Sequence, residues 1–194
     1  MRALPILGLF GLLLPTACDS SPKRLDPVPP DLEARVQVAD TAIGDLKKTL
    51  SSKLMAAVKS GGPEAGIDVC GKDAHAMTQE VASRHGVRIG RTSERLRNPE
   101  QNASRPWLSD YLKEVSPKKA SEAGRAVFDL GSSLGVVQPL ATQGLCVTCH
   151  GDPKGIPAGV QAAIAKRYPK DQAVGFSEGD VRGVVWVEIE KKAP

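Results

Sequence analysis

The sequence predicts an α+β fold, because long stretches with a helical period alternate with a few short stretches that have a strand period. Apolar residues recur every three or four positions over residues 32–58, as on one face of a long helix. Residues 182–190 instead alternate in steps of two. Residues 127–137 hold two apolar runs on either side of Gly-Ser-Ser, which is typical of a hairpin. Helices combined with a few antiparallel strands define this class.

Length, composition and charge narrow the class of protein. A chain of 194 residues with 41% hydrophobic and 25% charged residues suits one globular domain, and it excludes collagen-like, disordered and polytopic membrane proteins. The net charge of +4 is not gathered on a basic face, so nucleic acid is not expected as a partner. Aromatic residues make up 4% of the chain, which is few for a core of this size.

The first 17 residues have the pattern of a secretory signal. The apolar run Leu4–Leu14 is too short to span a bilayer, and Ala17 offers a small residue at the cleavage position. Cys18 follows at once, which resembles the bacterial lipoprotein signal, in which that cysteine is lipidated and becomes the mature N-terminus. The alternative is an ordinary secretory signal that leaves a spare thiol at Cys18.

Residues 18–30 are expected to form a Pro-rich tether. They hold four prolines and show neither a helical nor a strand period. Such a tether reaches on the order of 35 Å at about 3.1 Å per residue. Residues 31–194 then form the folded domain. We expect this domain to be exported, periplasmic or otherwise extracytoplasmic, and attached to the membrane by the lipid anchor alone.

Two helices open the predicted domain. Asp31 is expected to be the N-cap of the first, and Ser60-Gly61-Gly62-Pro63 is expected to end it. The second should run over residues 63–85 and close at Gly86. Packing of the first helix on its own domain is the plainer interpretation. A helix that joins two copies in a homodimer is the alternative, although fewer than four heptads are present.

The rest of the chain alternates short strands and helices. Val185, Val187 and Ile189 share one face of the last strand. The predicted elements are a strand over 87–91, a turn-rich loop to 102, a helix over 107–115, hairpin strands at 127–130 and 134–137, a helix over 160–168 and a strand over 182–190.

The strongest chemical signal in the chain is Cys146-Val147-Thr148-Cys149-His150. C-x-x-C-H attaches c-type haem: the two thiols add to the porphyrin vinyl groups, and the histidine that follows becomes an axial ligand of the iron. The pattern therefore predicts one covalent haem c, bound through Cys146 and Cys149, with His150 on the iron. A covalent porphyrin would also supply the apolar mass that the few aromatic residues do not.

Two other uses of these cysteines compete with haem. A thiol-disulfide pair would explain Cys146 and Cys149 but would leave His150 without a role. Cys70 together with these three residues could form a Cys3His zinc site. Export favours haem, because c-type haem is attached outside the cytoplasm, whereas thiolate zinc sites are commonest inside it.

The second predicted helix carries the candidates for the second axial ligand. At about 100° per residue, Met77 lies within about 40° of Cys70 on the apolar face. His75 lies about 140° away from Cys70, on the polar side. His85 suits the helix C-terminus and Met55 suits packing. The residues themselves leave Cys70 and Met77 as alternatives.

Four segments of the chain carry a family resemblance: IDVCGKDAHAM at 67–77, IGRTSERLRNPEQN at 89–102, CVTCHG at 146–151 and RYPKDQAVGFSEGDVRGVVWVEI at 167–189. On these segments the chain resembles a bacterial family of c-type haem domains of unassigned function, found alone or as the sensor part of histidine kinases. The resemblance covers roughly residues 35–190. It implies a PAS-like fold, with a small antiparallel sheet, flanking helices and a long N-terminal helix. It also implies that Cys70 is the second axial ligand.

Positive side chains are expected to bind the haem propionates. Arg91 and Arg97 are the first candidates, because both lie inside the second of these motifs. Arg95 and Arg182 are further candidates. The competing interpretation is a solvated basic loop.

Three functions remain open from the sequence. The first is low-potential electron transfer, since a thiolate ligand stabilises ferric iron. The second is a redox or gas sensor for NO or CO that signals to an unknown partner protein. The third, an enzyme, is not expected, because no further acid, base or substrate motif is present.

Overall fold

A five-stranded antiparallel sheet organises the part of the chain that the structure describes. The structure is a computed structural model and describes residues 22–69, 73–99 and 102–192. Neighbouring strands follow the order β1-β3-β4-β5-β2. The strands are β1 (Lys23–Arg24), β2 (Arg88–Thr92), β3 (Ala126–Asp129), β4 (Ser133–Ala141) and β5 (Val181–Glu190).

Five α-helices flank this sheet within the described residues. The fold is therefore α+β, with the small antiparallel sheet, the flanking helices and the long N-terminal helix that we expected. None of these helices is both long enough and apolar enough to cross a membrane. The helices are α1 (Glu33–Asp68), α2 (Ala74–His85), α3 (Ser109–Val115), α4 (Gly144–His150) and α5 (Ala158–Arg167).

Backbone geometry explains where helix α1 begins and where it bends. The expected N-cap role of Asp31 is wrong: Leu32 occupies that position without a side-chain cap. A turn through Pro29 and Pro30 precedes the helix: Leu32 N–H donates to Pro29 O over 3.0 Å and Glu33 N–H donates to Pro30 O over 3.4 Å, so backbone carbonyls accept from the first N–H groups. The predicted break at Gly61-Gly62 is present as a kink inside α1. Gly62 has φ of 76°, a conformation that glycine adopts without steric cost.

Strand β5 separates two hydrophobic cores. Val185, Val187 and Ile189 face α1, as predicted, and pack with its buried residues. The intervening Val184 and Trp186 face a second core, which α3 and β3 complete. Both faces of β5 are therefore buried, so substitutions along it act on packing and not on a solvent-exposed surface.

A third, smaller core joins the ends of α1, α4 and α5. Ile67, from the last turn of α1, packs with Ile164 and Tyr168, and Cys149 lies against this cluster. The hydroxyl group of Tyr168 donates a hydrogen bond to the carbonyl oxygen of Ile67 over 3.4 Å. This core fixes the position of the C-x-x-C-H segment relative to α1.

Part of the expected tether belongs to the fold. Lys23 and Arg24 pair with β3, and Leu25 N–H donates to Val127 O over 2.8 Å. Leu25 and Val28 pack against the first core. The fold therefore begins before residue 31, and a strand of two residues is too short for a period to reveal it. The signal predicted at residues 1–17 and the lipidation site Cys18 lie outside the described residues.

Candidate functional site

The C-x-x-C-H segment forms a short helix, α4, which the sequence patterns did not predict. Cys146 and Cys149 lie one turn apart on it; both are half-buried and neither forms a disulfide. His150 is its last residue. At Gly151 the chain turns so closely that an added Cβ would lie 2.5 Å from Val147 O. Glycine after the histidine is therefore required by close approach of the backbone.

The imidazole of His150 is held by one well-defined hydrogen bond. Its Nδ1 lies 2.7 Å from the carbonyl oxygen of Ala173. An unprotonated nitrogen and a carbonyl oxygen would repel at that distance, so we assign the proton to Nδ1. The Nη2 of Arg97 and the Nε of Arg182, each 3.2 Å from Nδ1, are then close approaches and not hydrogen bonds. This tautomer leaves the lone pair of Nε2 available to a metal.

Electrostatics keep this imidazole neutral. Burial, followed by the positive charges of Arg182 and Arg97, lowers the pKa of His150 to about 2. Neutral imidazole is the form that ligates metals. Both the tautomer and the charge state of His150 therefore suit a metal ligand.

Arg97, which we expected at a propionate, is engaged with the backbone around α4. Its Nε lies 3.3 Å from Asp171 Oδ1, and both side chains are about nine-tenths buried, at 11% and 9% exposure. Its Nη2 donates to Cys149 O and, over 3.1 Å, to Ala173 O. The sequence did not single out Asp171 or Ala173, although both lie in the segment 167–189 that carries the family resemblance. Their partners are distant in sequence, so no local pattern indicates these contacts.

A second group of side chains stacks beside His150. The guanidinium carbon of Arg95 lies 3.5 Å from the ring centroid of Phe176, and that of Arg182 lies 5.0 Å from it. The rings of Phe176 and His150 meet edge to face, with centroids 6.4 Å apart. Phe176 N–H also donates to His150 O over 2.9 Å, and Gly175 N–H donates to Gly151 O over 2.7 Å. The loop before β5 is thus fastened to the end of α4.

His150 lines a cavity of about 290 Å³ whose wall is strongly basic. Burial and the charges of neighbouring arginines lower the pKa of Arg182 to about 10, against the opposing effect of Asp171. The positive charge of these neighbouring arginines suits an anionic ligand. The cavity is lined by Arg91, Arg97 and Arg182, by residues of β2, and by His75, Thr78 and Gln79 of α2, among others.

Helix α2 is shorter than predicted and carries two of the candidate ligands, His75 and Met77. The single helix predicted over 63–85 is divided: α1 ends at Asp68 and α2 begins at Ala74, and Val69 and Asp73 are π-helical. His75, expected on the polar side, is exposed and lines the cavity together with Gln79, whereas Met77 is half-buried and is not among the lining residues. Cys70 lies outside the described residues.

The fold and the site together define a class: an α+β domain in which a C-x-x-C-H helix borders an arginine-lined cavity. The chain belongs to the Tll0287-like family, whose model matches residues 27–190. Its structure is similar to one described as the crystal structure of the cyanobacterial heme-protein Tll0287, with a TM-score of 0.58 at 21% identity. The match covers 86% of this chain and 99% of that one, and at this identity it shows a shared fold. A comparison with curated proteins finds no match.

Proposed function

We propose that this protein binds one haem covalently, as a c-type haem protein, through Cys146 and Cys149, with His150 as an axial ligand. The observation that carries the proposal is the geometry of α4: two thiols one turn apart, free of disulfides, followed by a neutral histidine. The hydrogen bond to Ala173 leaves Nε2 of that histidine available. The description of the similar structure as a heme-protein supports the same cofactor.

The described residues fit a haem in charge as well as in donor chemistry. Haem carries two propionates, and the cavity wall has an excess of arginine. Arg91 and Arg182 line the cavity, so we assign the propionates to them, with Arg95 as a further partner. Arg97 lines the same cavity but is bonded to Asp171 and to two backbone carbonyls. When bound, haem supplies one-electron redox chemistry, with a potential that depends on its axial ligands and their hydrogen bonds.

Cys70 is the proposed second axial ligand. Ile67, three positions earlier in the chain, packs in the cluster against which Cys149 lies, so α1 delivers the chain to the neighbourhood of α4. Met77, the alternative, is not among the residues that line the cavity. A thiolate opposite His150 favours ferric iron and a low potential.

Low-potential electron transfer is the physiological role that we propose, with no substrate turnover. The protein would act outside the cytoplasm, after export by residues 1–17, attached through a lipid on Cys18. Its partner would be a redox protein at the same membrane. Two residues that bind iron from opposite sides would leave no position for a substrate, which supports a carrier over an enzyme.

A redox or gas sensor is the second candidate, and one contact favours it. The carbonyl of Ile67 in the last turn of α1 accepts a hydrogen bond from Tyr168, next to the C-x-x-C-H core. Movement at the site on loss of the second ligand would therefore reach α1, the longest helix of the described residues. Exposure of the reduced protein to CO separates the two roles: a carrier keeps six-coordinate spectra, and a sensor forms a CO adduct.

The cofactor proposal is tested on protein produced with the c-type maturation machinery. We expect haem to remain on the chain in a denaturing gel and to be lost, or held by one thioether, in Cys146→Ser and Cys149→Ser. Thr148→Ser, on the same helix, is the matched control and should keep two thioethers. One equivalent of zinc with no covalent haem in the wild-type protein would overturn the proposal and favour the Cys3His site.

A further inference from the structure

We propose that Asp171 and Arg97 form a buried pair that positions His150 and thereby sets the reduction potential of the site. This inference rests on the proposed haem. It gives Arg97 a different role from the propionate partner that the sequence suggested, and it gives Asp171 a role for the first time.

The pair holds the residue whose carbonyl oxygen accepts the hydrogen bond from His150. Asp171 Oδ1 accepts a hydrogen bond from Ala173 N–H over 2.8 Å and faces Arg97 Nε at 3.3 Å. Arg97 Nη2 in turn donates to Ala173 O over 3.1 Å. The carboxylate therefore binds the backbone nitrogen of Ala173, and the guanidinium binds its carbonyl oxygen. The same oxygen also accepts the hydrogen bond from His150 Nδ1.

Burial makes these contacts effective. Ala173 is fully buried, and about one-tenth of the side chains of Arg97 and Asp171 is exposed. Charges separated from water interact more strongly than exposed ones, and their partners have fewer alternative positions. Arg97 also donates to Cys149 O, so one guanidinium connects the helix that carries the ligand to the loop that orients it.

The pair acts on the iron through His150. A histidine whose Nδ1–H donates to a strong acceptor is a more basic ligand at Nε2. Arg97 weakens that acceptor by sharing Ala173 O, and Asp171 limits the effect by neutralising Arg97. Removal of the carboxylate should therefore raise the reduction potential, both by weakening the ligand and by leaving a buried positive charge beside the site.

The experiment is spectroelectrochemical titration of the haem-loaded protein, with the NMR signal of the His150 Nδ1 proton as a second readout. We expect Asp171→Asn to raise the potential and shift that proton signal, and Asp171→Glu to restore both in part. Arg97→Lys keeps the positive charge, but a lysine cannot bond two carbonyls and Asp171 together. Ala173 O would then accept from His150 alone, so the reduction potential should fall. If Asp171→Asn does not fold, Arg97→Lys and Asp171→Glu decide the question.

The matched control is Asp152→Asn, which removes one carboxylate two residues after His150. Asp152 is exposed and caps a short turn by accepting from Lys154 N–H over 2.9 Å. Two results would overturn the inference. One is an equal shift of the reduction potential in Asp152→Asn and Asp171→Asn, and the other is an unchanged proton signal in Asp171→Asn and Arg97→Lys. Either result would mean that the pair affects the potential only through its net charge. Absence of covalent haem from the wild-type protein would instead refute the proposed function.

Discussion

The guanidinium group of Arg95 lies over the ring of Phe176, with its central carbon 3.5 Å from the ring centroid. Arg95 Nη1 also donates to Val174 O over 2.8 Å. One arginine therefore fastens both the backbone and the side chain of the loop that leads into β5. Since Phe176 N–H donates to His150 O, the same stack supports the end of α4.

Phe176→Leu is expected to loosen this loop. The smaller side chain loses ring stacking with Arg95 and part of its packing, which together cost about 1–3 kcal/mol. Chemical denaturation measures the stability, and amide exchange at Gly175 and Phe176 measures the loop. Phe128→Leu, in the second core, should cost a similar amount without faster exchange at Gly175. Equal exchange in the two variants would contradict the stacking argument.

Gly151→Ala is expected to distort the end of α4. A methyl group at this position would lie 2.5 Å from Val147 O, and a backbone contact of that kind costs about 1–3 kcal/mol. The yield of covalently attached haem and the unfolding midpoint should both fall. Gly155→Ala is the matched control: nothing lies within 4 Å of a Cβ at Gly155, so its stability should change by no more than about 0.5 kcal/mol.

Cys70→Ala should abolish the thiolate signature in the electron paramagnetic resonance spectrum of the ferric protein. His75 lines the cavity and is exposed, so we expect it to take the vacated position and give a low-spin spectrum of two histidines. The double variant Cys70→Ala with His75→Leu should then be high-spin. Met77→Leu alone should leave the wild-type spectrum unchanged, and a thiolate signal that persisted in Cys70→Ala would rule out the ligand assignment.

Tyr111 gives the fold a predictable response to alkaline pH. Burial raises the pKa of Tyr111 to about 12, and its hydroxyl donates to Gly124 O over 2.6 Å. The neutral phenol is therefore favoured in the folded state, so its contribution is complete below the ordinary pKa of 10.0 and is lost as pH rises toward 12.

Tyr111→Phe tests this response. Because the variant lacks the hydrogen bond to Gly124 O, its free energy of unfolding at neutral pH should be lower by about 1 kcal/mol. Denaturation curves recorded between pH 9 and pH 11 should then fall less steeply than those of the wild-type protein. Parallel losses of stability in both proteins would assign the alkaline response to other groups.

Local patterns in the sequence predict much of the fold. The alternation of Val185, Val187 and Ile189 predicts a strand face that packs on α1, and the Gly61-Gly62 pair predicts the break in that helix. These features depend on neighbours in the chain, which is why periodicity detects them. Strand β1 has two residues and α4 has seven, too few for either period to stand out.

The site was only partly predictable, because its supporting contacts join distant residues. The C-x-x-C-H motif is contiguous and its chemistry can be inferred from spacing alone. Arg97 and Asp171 are 74 positions apart, and nothing in either segment indicates that the other lies beside it. The sequence placed His75 on the polar side of α2, where it is exposed, but nothing in the helical pattern indicated that this side borders the cavity.

The pairing of Lys23 with β3 bears on how far the protein can stand from a membrane. With a lipid on Cys18, four residues would separate the anchored atom from the edge of the sheet. Even a fully extended chain of that length spans no more than about 18 Å. The sheet edge at β1 would then face the lipid surface at close range, and a redox partner would have to approach from the sides or from above. A carrier anchored in this way would exchange electrons with proteins that share its membrane, at a height and an orientation that its own first strand determines.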